Sequence, residues 1–170
     1  LDGILKERDL LRELRGSADV VLDTTGLNVH QLQEKVERLF SGEAGPGLRT
    51  TILSFGYKYG LPYDADLVVD CRFIPNPHWI PELRPLTGLD SPVSEHVLSR
   101  PGTQEFIEHY LALFRVIAEG YRREGKRYVT LAVGCTGGKH RSVAIAEHLS
   151  ALLRDEGIDV MTLHRDLGRE

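Results

Sequence analysis

The sequence predicts an α/β fold: a mostly parallel central sheet flanked by helices, with an anion-binding loop at the carboxyl ends of the strands. Three observations predict it. Residues 128–133, Tyr-Val-Thr-Leu-Ala-Val, form a short, mostly apolar run that reads as a strand buried on both faces. Glycines at 134, 137 and 138 break that run, and from about His140 apolar residues recur at helical spacing through Val143, Ile145, Ala146, Leu149, Leu152 and Leu153. Elsewhere strand-like runs alternate with helix-like ones, the pattern of a parallel sheet with right-handed crossovers.

The 170 residues are 41% hydrophobic and 27% charged, an ordinary globular composition that excludes a disordered chain. The net charge of -4 argues against coating nucleic acid by charge alone, while leaving room for a local basic patch. Two cysteines, Cys71 and Cys135, make no disulfide framework and read as reduced thiols of a cytoplasmic protein. No apolar run approaches the roughly 20 residues that span a bilayer. The chain begins at Leu1 and is expected to be part of a longer protein, so a leader before it stays open.

Taken in order, residues 5–14 carry apolar side chains at 5, 10, 11 and 14, an amphipathic helix that Gly16 is placed to end. Residues 19–22 read as a short strand. Asn28 then caps a helix over 29–40, with Gln31 in capping-box position. One strand between two helices cannot make a sheet alone. Residues 1–47 therefore read as the trailing end of a larger α/β domain, closed by a linker, Ser-Gly-Glu-Ala-Gly-Pro-Gly, at 41–47.

The second unit, 48–170, opens with strands at 50–55 and 66–70, joined by a Gly- and Pro-containing turn at 57–62. Residues 73–102 hold six of the eight prolines without sustained periodicity, which predicts a long ordered loop of the kind that carries function. Thr103 is placed to cap a helix reaching about Arg123. Its stripe of Phe106, Ile107, Tyr110, Leu111, Phe114, Ile117 and Tyr121 is core. After the central strand and its helix, residues 159–163 read as a last strand.

A strand, a glycine turn and a helix start, in that order, make an anion site. The turn amides face inward and the helix N-terminus adds its partial positive charge. Cys135, Gly137 and Gly138 form the turn, Thr136 and Ser142 add hydroxyls, and Lys139, His140 and Arg141 add cations. Asp70 and Cys135 end their strands on the side where ligands of such sheets bind. The proline-rich loop after Asp70 thus folds over the turn, and Asp70, Arg72, Asn76 and His78 face residues 136–142 across one pocket. Each assignment has a plainer counterpart: His78 packing on Trp79, and Arg141 solvated on a helix face. Asp70, repelled by phosphate, accepts from a hydroxyl, an amine or Arg72, which favours a phosphorylated sugar or amino sugar over bare phosphate.

Two rival chemistries touch the same residues. The spacing Cys135-x5-Arg141-Ser142 resembles the phosphate loop of cysteine-dependent phosphatases, where a thiolate attacks phosphorus. Gly134 stands where those enzymes usually place histidine, no Trp-Pro-Asp loop precedes it, and a structural apolar cysteine is the plain alternative. A metal held by Cys71, His78, Cys135 and His140 lacks a close Cys-x-x-Cys pair, and no metal is expected. The basic cluster Arg122, Arg123, Lys126 and Arg127 complements a helix end.

Four segments carry a resemblance: Ser-Phe-Gly-Tyr-Lys-Tyr-Gly at 54–60, Asp-Cys-Arg-Phe-Ile-Pro-Asn-Pro-His-Trp at 70–79, Leu-Arg-Pro-Leu-Thr-Gly at 83–88 and Gly-Cys-Thr-Gly-Gly-Lys-His-Arg-Ser at 134–142. Together, over residues 19–163, the sequence resembles the RapZ/YvcJ family of nucleotide-binding proteins and RNase adapters. The resemblance implies that residues 1–47 are the tail of a P-loop nucleotide-binding domain with its linker. It implies that residues 48–170 are a C-terminal domain sensing glucosamine-6-phosphate and contacting small regulatory RNA. ATPase and GTPase activity, with bound ATP or GTP, is implied for a region before Leu1. These 170 residues contain no Gly-x4-Gly-Lys-[Ser/Thr], so they are expected to hold no cofactor and to be no enzyme. Carried over by motif are Asp70, Arg72, His78, Thr136, Gly137, Lys139, His140 and Arg141 for the ligand, and Lys58, Lys139 and Arg141 for RNA. The implied partners are a phosphorylated amino sugar, a small RNA, an endoribonuclease and further copies of the chain. RNA-binding members end in a basic tail; this sequence ends Leu167-Gly168-Arg169-Glu170, which as a natural end would weaken RNA binding.

Overall fold

Strands made almost wholly of apolar residues belong in the middle of a sheet, where both faces are covered. The structure, a computed structural model, follows that rule. It describes residues 2–40 and 48–169 and divides into two units, Leu1–Gly45 and Pro46–Glu170.

In the first unit, α1 spans Asp2–Ser17 and α2 spans Val29–Phe40. The capping box forms as the spacing requires: Asn28 N donates to Gln31 Oε1 and Gln31 N to Asn28 Oδ1, both at 2.9 Å. Two expectations are corrected. Gly16 does not end α1, which continues to Ser17, where the hydroxyl donates back to Glu13 O at 3.1 Å. Residues 19–22 are not a strand, because among the described residues of this unit no second segment offers the ladder bonds that define one. The linker read at 41–47 lies outside the described residues.

The second unit holds one four-stranded sheet: β1 (Arg49–Gly56), β2 (Leu67–Asp70), β3 (Tyr128–Cys135) and β4 (Val160–His164). The order is β2-β3-β1-β4 and every pairing is parallel. Central β1 and β3 are buried along most of their length, with Ile52 in register with Leu131 and Phe55 with Gly134. The edge strands are shorter and half exposed. The connection leaving β1 crosses β3 to reach β2, and the connection leaving β3 crosses β1 to reach β4. Neighbouring strands whose chains depart in opposite directions leave a crevice beyond their carboxyl ends.

The segment 73–102, expected as loop throughout, contains a 3₁₀ turn at Pro77–Trp79 and a helix, α3, at Ser91–Leu98. Pro92 suits the first turn, where its missing N–H costs nothing, and Val93 and Val97, one turn apart, are fully buried. Val93, Val97 and Leu98, three apolar side chains in eight residues, are too few to display a period. Helix α4 spans Thr103–Arg123; of the expected stripe it buries Ile107, Leu111 and Phe114, with Ala118 beside them, and leaves Phe106, Tyr110, Ile117 and Tyr121 half-buried. Its cap is Gly102 at φ 78°, not Thr103; Thr103 lies buried inside the first turn with its hydroxyl unpartnered among the described residues. Helix α5, Arg141–Asp155, buries its first six residues and packs beside β1, β3 and β4. No helix among the described residues is long and apolar enough to cross a membrane.

A Cβ at position 56 would stand 2.6 Å from Gly137 C and 2.7 Å from Gly137 O, while one at Gly120 in α4 would meet nothing. Gly56→Ala should therefore destabilise the protein by about 1–3 kcal/mol through overpacking. Gly120→Ala should stabilise it by about 0.5–1 kcal/mol by favouring helix. Urea unfolding of the two variants measures both.

Candidate ligand site

The turn after β3 is shaped by what it must touch. Gly138 sits at φ 78°, and a Cβ there would stand 2.8 Å from Gly56 N and 3.0 Å from the Asp166 side chain. With no side chains in the way, the loop after β1 lies directly on the loop after β3, and Lys58 N donates to Thr136 O at 3.2 Å. Buried Asp166 fixes this from below. It accepts from Gly56 N at 2.8 Å and from the guanidinium groups of Arg165 and Arg169. On the other side, Gly88 N donates to Lys139 O at 2.8 Å, and a side chain at 88 would collide with His140 O and Ala144 N.

Arg141 ties the proline-rich segment to this turn. Its Nη1 donates to Arg72 O at 3.1 Å and Ile74 O at 2.8 Å, and its Nη2 to Thr136 Oγ1 at 3.1 Å. The residue is only 5% exposed, and its Nε has no partner among the described residues. His140 Nε2 lies 3.3 Å from Arg84 O. Burial lowers the His140 pKa below the usual histidine value, against the raising effect of that carbonyl.

Between these segments is a cavity of about 560 Å³, a size that suits a small metabolite. The Asn76–Trp79 segment walls one side and Cys135, Thr136, Gly137 and Lys139–Arg141 the other, with Lys58, Arg84 and Pro85 at the rim. His78 serves both of its sequence readings. Its ring meets Trp79 edge-on at 5.4 Å and lies 6.3 Å from the His140 ring, while it also lines the cavity. Asn76 caps the short turn, its Oδ1 accepting from His78 N at 3.3 Å. The wall holds Lys58, Arg84, Lys139 and Arg141 and not one carboxylate. The amides of Thr136 and Gly137 have no acceptor among the described residues.

The remaining expected residues lie elsewhere. Asp70 pairs with Arg72 at 2.6 Å, outside the cavity lining, and that bond lowers the pKa of the carboxyl. The Arg72 guanidinium stacks 3.9 Å from the centre of the Tyr57 ring. Gly138 and Ser142 lie beneath the cavity, where they hold Cys135. Gly138 N donates to Cys135 Sγ at 3.2 Å and Ser142 Oγ lies 3.1 Å from it. Cys71 lies behind, its Sγ donating to Gly134 O at 3.0 Å. The Cys71 thiol first, then Ser142 and Gly138, pull the Cys135 pKa down to about 4 against the opposing effect of burial. Cys71 is pushed well above the ordinary value by Cys135 and by burial, so the pair keeps its proton on Cys71. Among the described residues no cluster of His, Cys, Asp or Glu could hold a metal. Sequence reasoning passed over Trp79, Arg84 and Pro85 as cavity residues; the signal was their position in the same proline-rich stretch as His78.

Residues 48–168 match the family model of the RapZ C-terminal domain, and residues 1–44 that of the RapZ-like N-terminal domain. A nucleotide-binding protein of Streptomyces griseus is 65% identical over 170 residues, all of this chain and 51% of its own length. One from Streptomyces coelicolor is 63% identical over 170 residues, again all of this chain, and 57% of its own length is covered. One from Thermobifida fusca is 60% identical over 169 residues, 99% of this chain and 58% of its own length. The chain thus spans about half the length of the curated relatives it matches.

Because Cys135 ionises near pH 4 in the fold and near about 8.5 when unfolded, its depressed pKa stabilises the fold. That contribution is complete above the unfolded value and is lost as pH falls through the folded one. Iodoacetamide should accordingly alkylate Cys135 in the native chain at a rate nearly flat from about pH 6 to pH 9. Cys71 should react only on unfolding. Peptide mapping against pH measures both, and the double variant Cys71→Ala/Ser142→Ala, which removes the Cys71 thiol and the Ser142 hydroxyl, should restore a rising pH profile.

Proposed function

The chain belongs to the RapZ family, and from that premise we propose that its C-terminal domain senses a metabolite by holding a phosphorylated amino sugar, glucosamine-6-phosphate or a close relative, in this cavity. One observation carries the reading: four cationic side chains and no carboxylate line a metabolite-sized cavity in a chain whose net charge is -4. A wall of one sign concentrates anions. The phosphoryl group belongs against the Thr136 and Gly137 amides and the partnerless Nε of Arg141, where charge-assisted hydrogen bonds are strongest. The sugar falls to Asn76, His78 and the exposed face of Trp79.

The domain acts by binding and not by catalysis, as part of an adapter for RNA processing. Exposed Lys58, with Lys139 beside the cavity, offers cations to RNA phosphates next to the ligand. Arg141 is too deeply buried to do so and serves the ligand instead. An endoribonuclease, further copies of the chain and a cytoplasmic setting complete the proposal, with ATP or GTP bound and hydrolysed by a P-loop domain to which residues 1–47 contribute the tail. Cysteine-dependent phosphatase chemistry is the second reading, favoured by the hydrogen bonds that Gly138 N and Ser142 Oγ make to Cys135 Sγ.

Thr136→Ala and His78→Ala should each weaken glucosamine-6-phosphate binding about tenfold, roughly 1.4 kcal/mol, with the circular dichroism spectrum unchanged. Calorimetry giving wild-type affinity for both would defeat the sensing assignment. Turnover of p-nitrophenyl phosphate that disappears in Cys135→Ser would establish the second reading in its place.

A further inference from the structure

Cys71 and Cys135 occupy successive ends of neighbouring parallel strands. Asp70, the last residue of β2, is in register with Gly134 of β3, and Cys71 N continues the ladder by donating to Gly134 O at 2.9 Å. The next position along the same ladder sets Cys71 beside Cys135. Register partners point to one face of a sheet, and adjacent strands run roughly 4.8 Å apart, inside the Cα separation of about 4.4–6.8 Å that a disulfide accepts. Both are buried, but Cys135, 3% exposed, lines the cavity, whereas Cys71, 0% exposed, is not part of its lining.

We propose that Cys71 and Cys135 form a peroxide-sensitive dithiol at the cavity floor, in which Cys135 is oxidised first, Cys71 resolves it to an internal disulfide, and the disulfide weakens anion binding. The last clause rests on the cavity being the anion site; the thiol chemistry does not.

The roles follow from placement. A small hydroperoxide entering the cavity meets Cys135 alone, and the donors Gly138 N and Ser142 Oγ hold that sulfur as thiolate. The thiolate lone pair attacks one peroxide oxygen and the O–O bond breaks. The sulfur becomes a sulfenic acid, and the departing hydroxide or alkoxide takes up from solvent the proton that Cys135 released on ionising. The Cys71 sulfur then attacks Cys135 Sγ, the S–O bond breaks, and the hydroxide leaves with the Cys71 proton as water. The peroxide is reduced to two molecules of water, or one of water and one of alcohol, as the two thiols lose two electrons. With the thiolate gone, Gly138 N and Ser142 Oγ lose a charged acceptor, and the turn carrying the Thr136 and Gly137 amides loses its anchor. Coupling runs both ways, so a bound anion over Cys135 should slow its oxidation.

The test treats the reduced chain with hydrogen peroxide and follows intact mass and tryptic peptides. Wild type should lose two hydrogens and yield a Cys71–Cys135 linked peptide. Cys71→Ser and Cys71→Ala should instead trap dimedone on Cys135 and proceed to sulfinic acid, and Cys135→Ser should leave Cys71 unoxidised. Glucosamine-6-phosphate should slow the reaction, and calorimetry on the oxidised chain should show affinity at least about tenfold weaker than on the reduced chain. Absence of the linked peptide, or oxidation of Cys71 in Cys135→Ser at the wild-type rate, overturns the dithiol. Equal affinity of oxidised and reduced chains overturns its control of the site. A reduced chain that binds no glucosamine-6-phosphate while still forming the disulfide defeats the sensing assignment and leaves the thiol chemistry standing.

Discussion

The backbone of Gly56 lies against the backbone of Gly137 and Gly138, and the site depends on that contact. It occurs where β1 and β3, neighbours at the centre of the sheet, send their chains in opposite directions. Only residues without Cβ let the two exit loops close together, so the sheet's crevice is lined by turn backbone and not by packed side chains. Asp166 holds the contact with a buried carboxylate. Such a charge is tolerable because Gly56 N, Arg165 and Arg169 all donate to it.

Arg141 extends the same economy of parts to the proline-rich segment. Its Nη1 donates to the carbonyls of Arg72 and Ile74, which brings Asn76 and His78 over the turn, and its Nε has no partner among the described residues. One guanidinium thus both braces the wall and charges it. Beneath it, Cys135 puts a negative charge at the floor of a positive cavity, held by Gly138, Ser142 and Cys71.

Features set by neighbours in sequence were legible in it. The capping box of α2, the strand and glycine turn at 128–138, and the apolar stripe of α4 depend on spacing within a few residues. Misreadings arose where a distant partner decides the outcome. Residues 19–22 have strand character but no partner strand in their unit. Helix α3 owes its existence to a surface that buries Val93 and Val97, a fact no local period carries. Asp70, read as accepting from a hydroxyl, an amine or Arg72, is by contrast paired through both oxygens with Arg72, a neighbour two residues on.

The sequence by itself determined the α/β class, the parallel sheet, the glycine turn and the stiff segment at 76–78, because glycine, proline and β-branched residues restrict backbone locally. Tertiary structure alone decided which cations share a wall, which nitrogen of Arg141 remains unpaired, and that Cys71 stands behind Cys135. Those outcomes depend on register between strands some sixty residues apart in the chain, and a side chain's charge and partner are set by what the fold places around it.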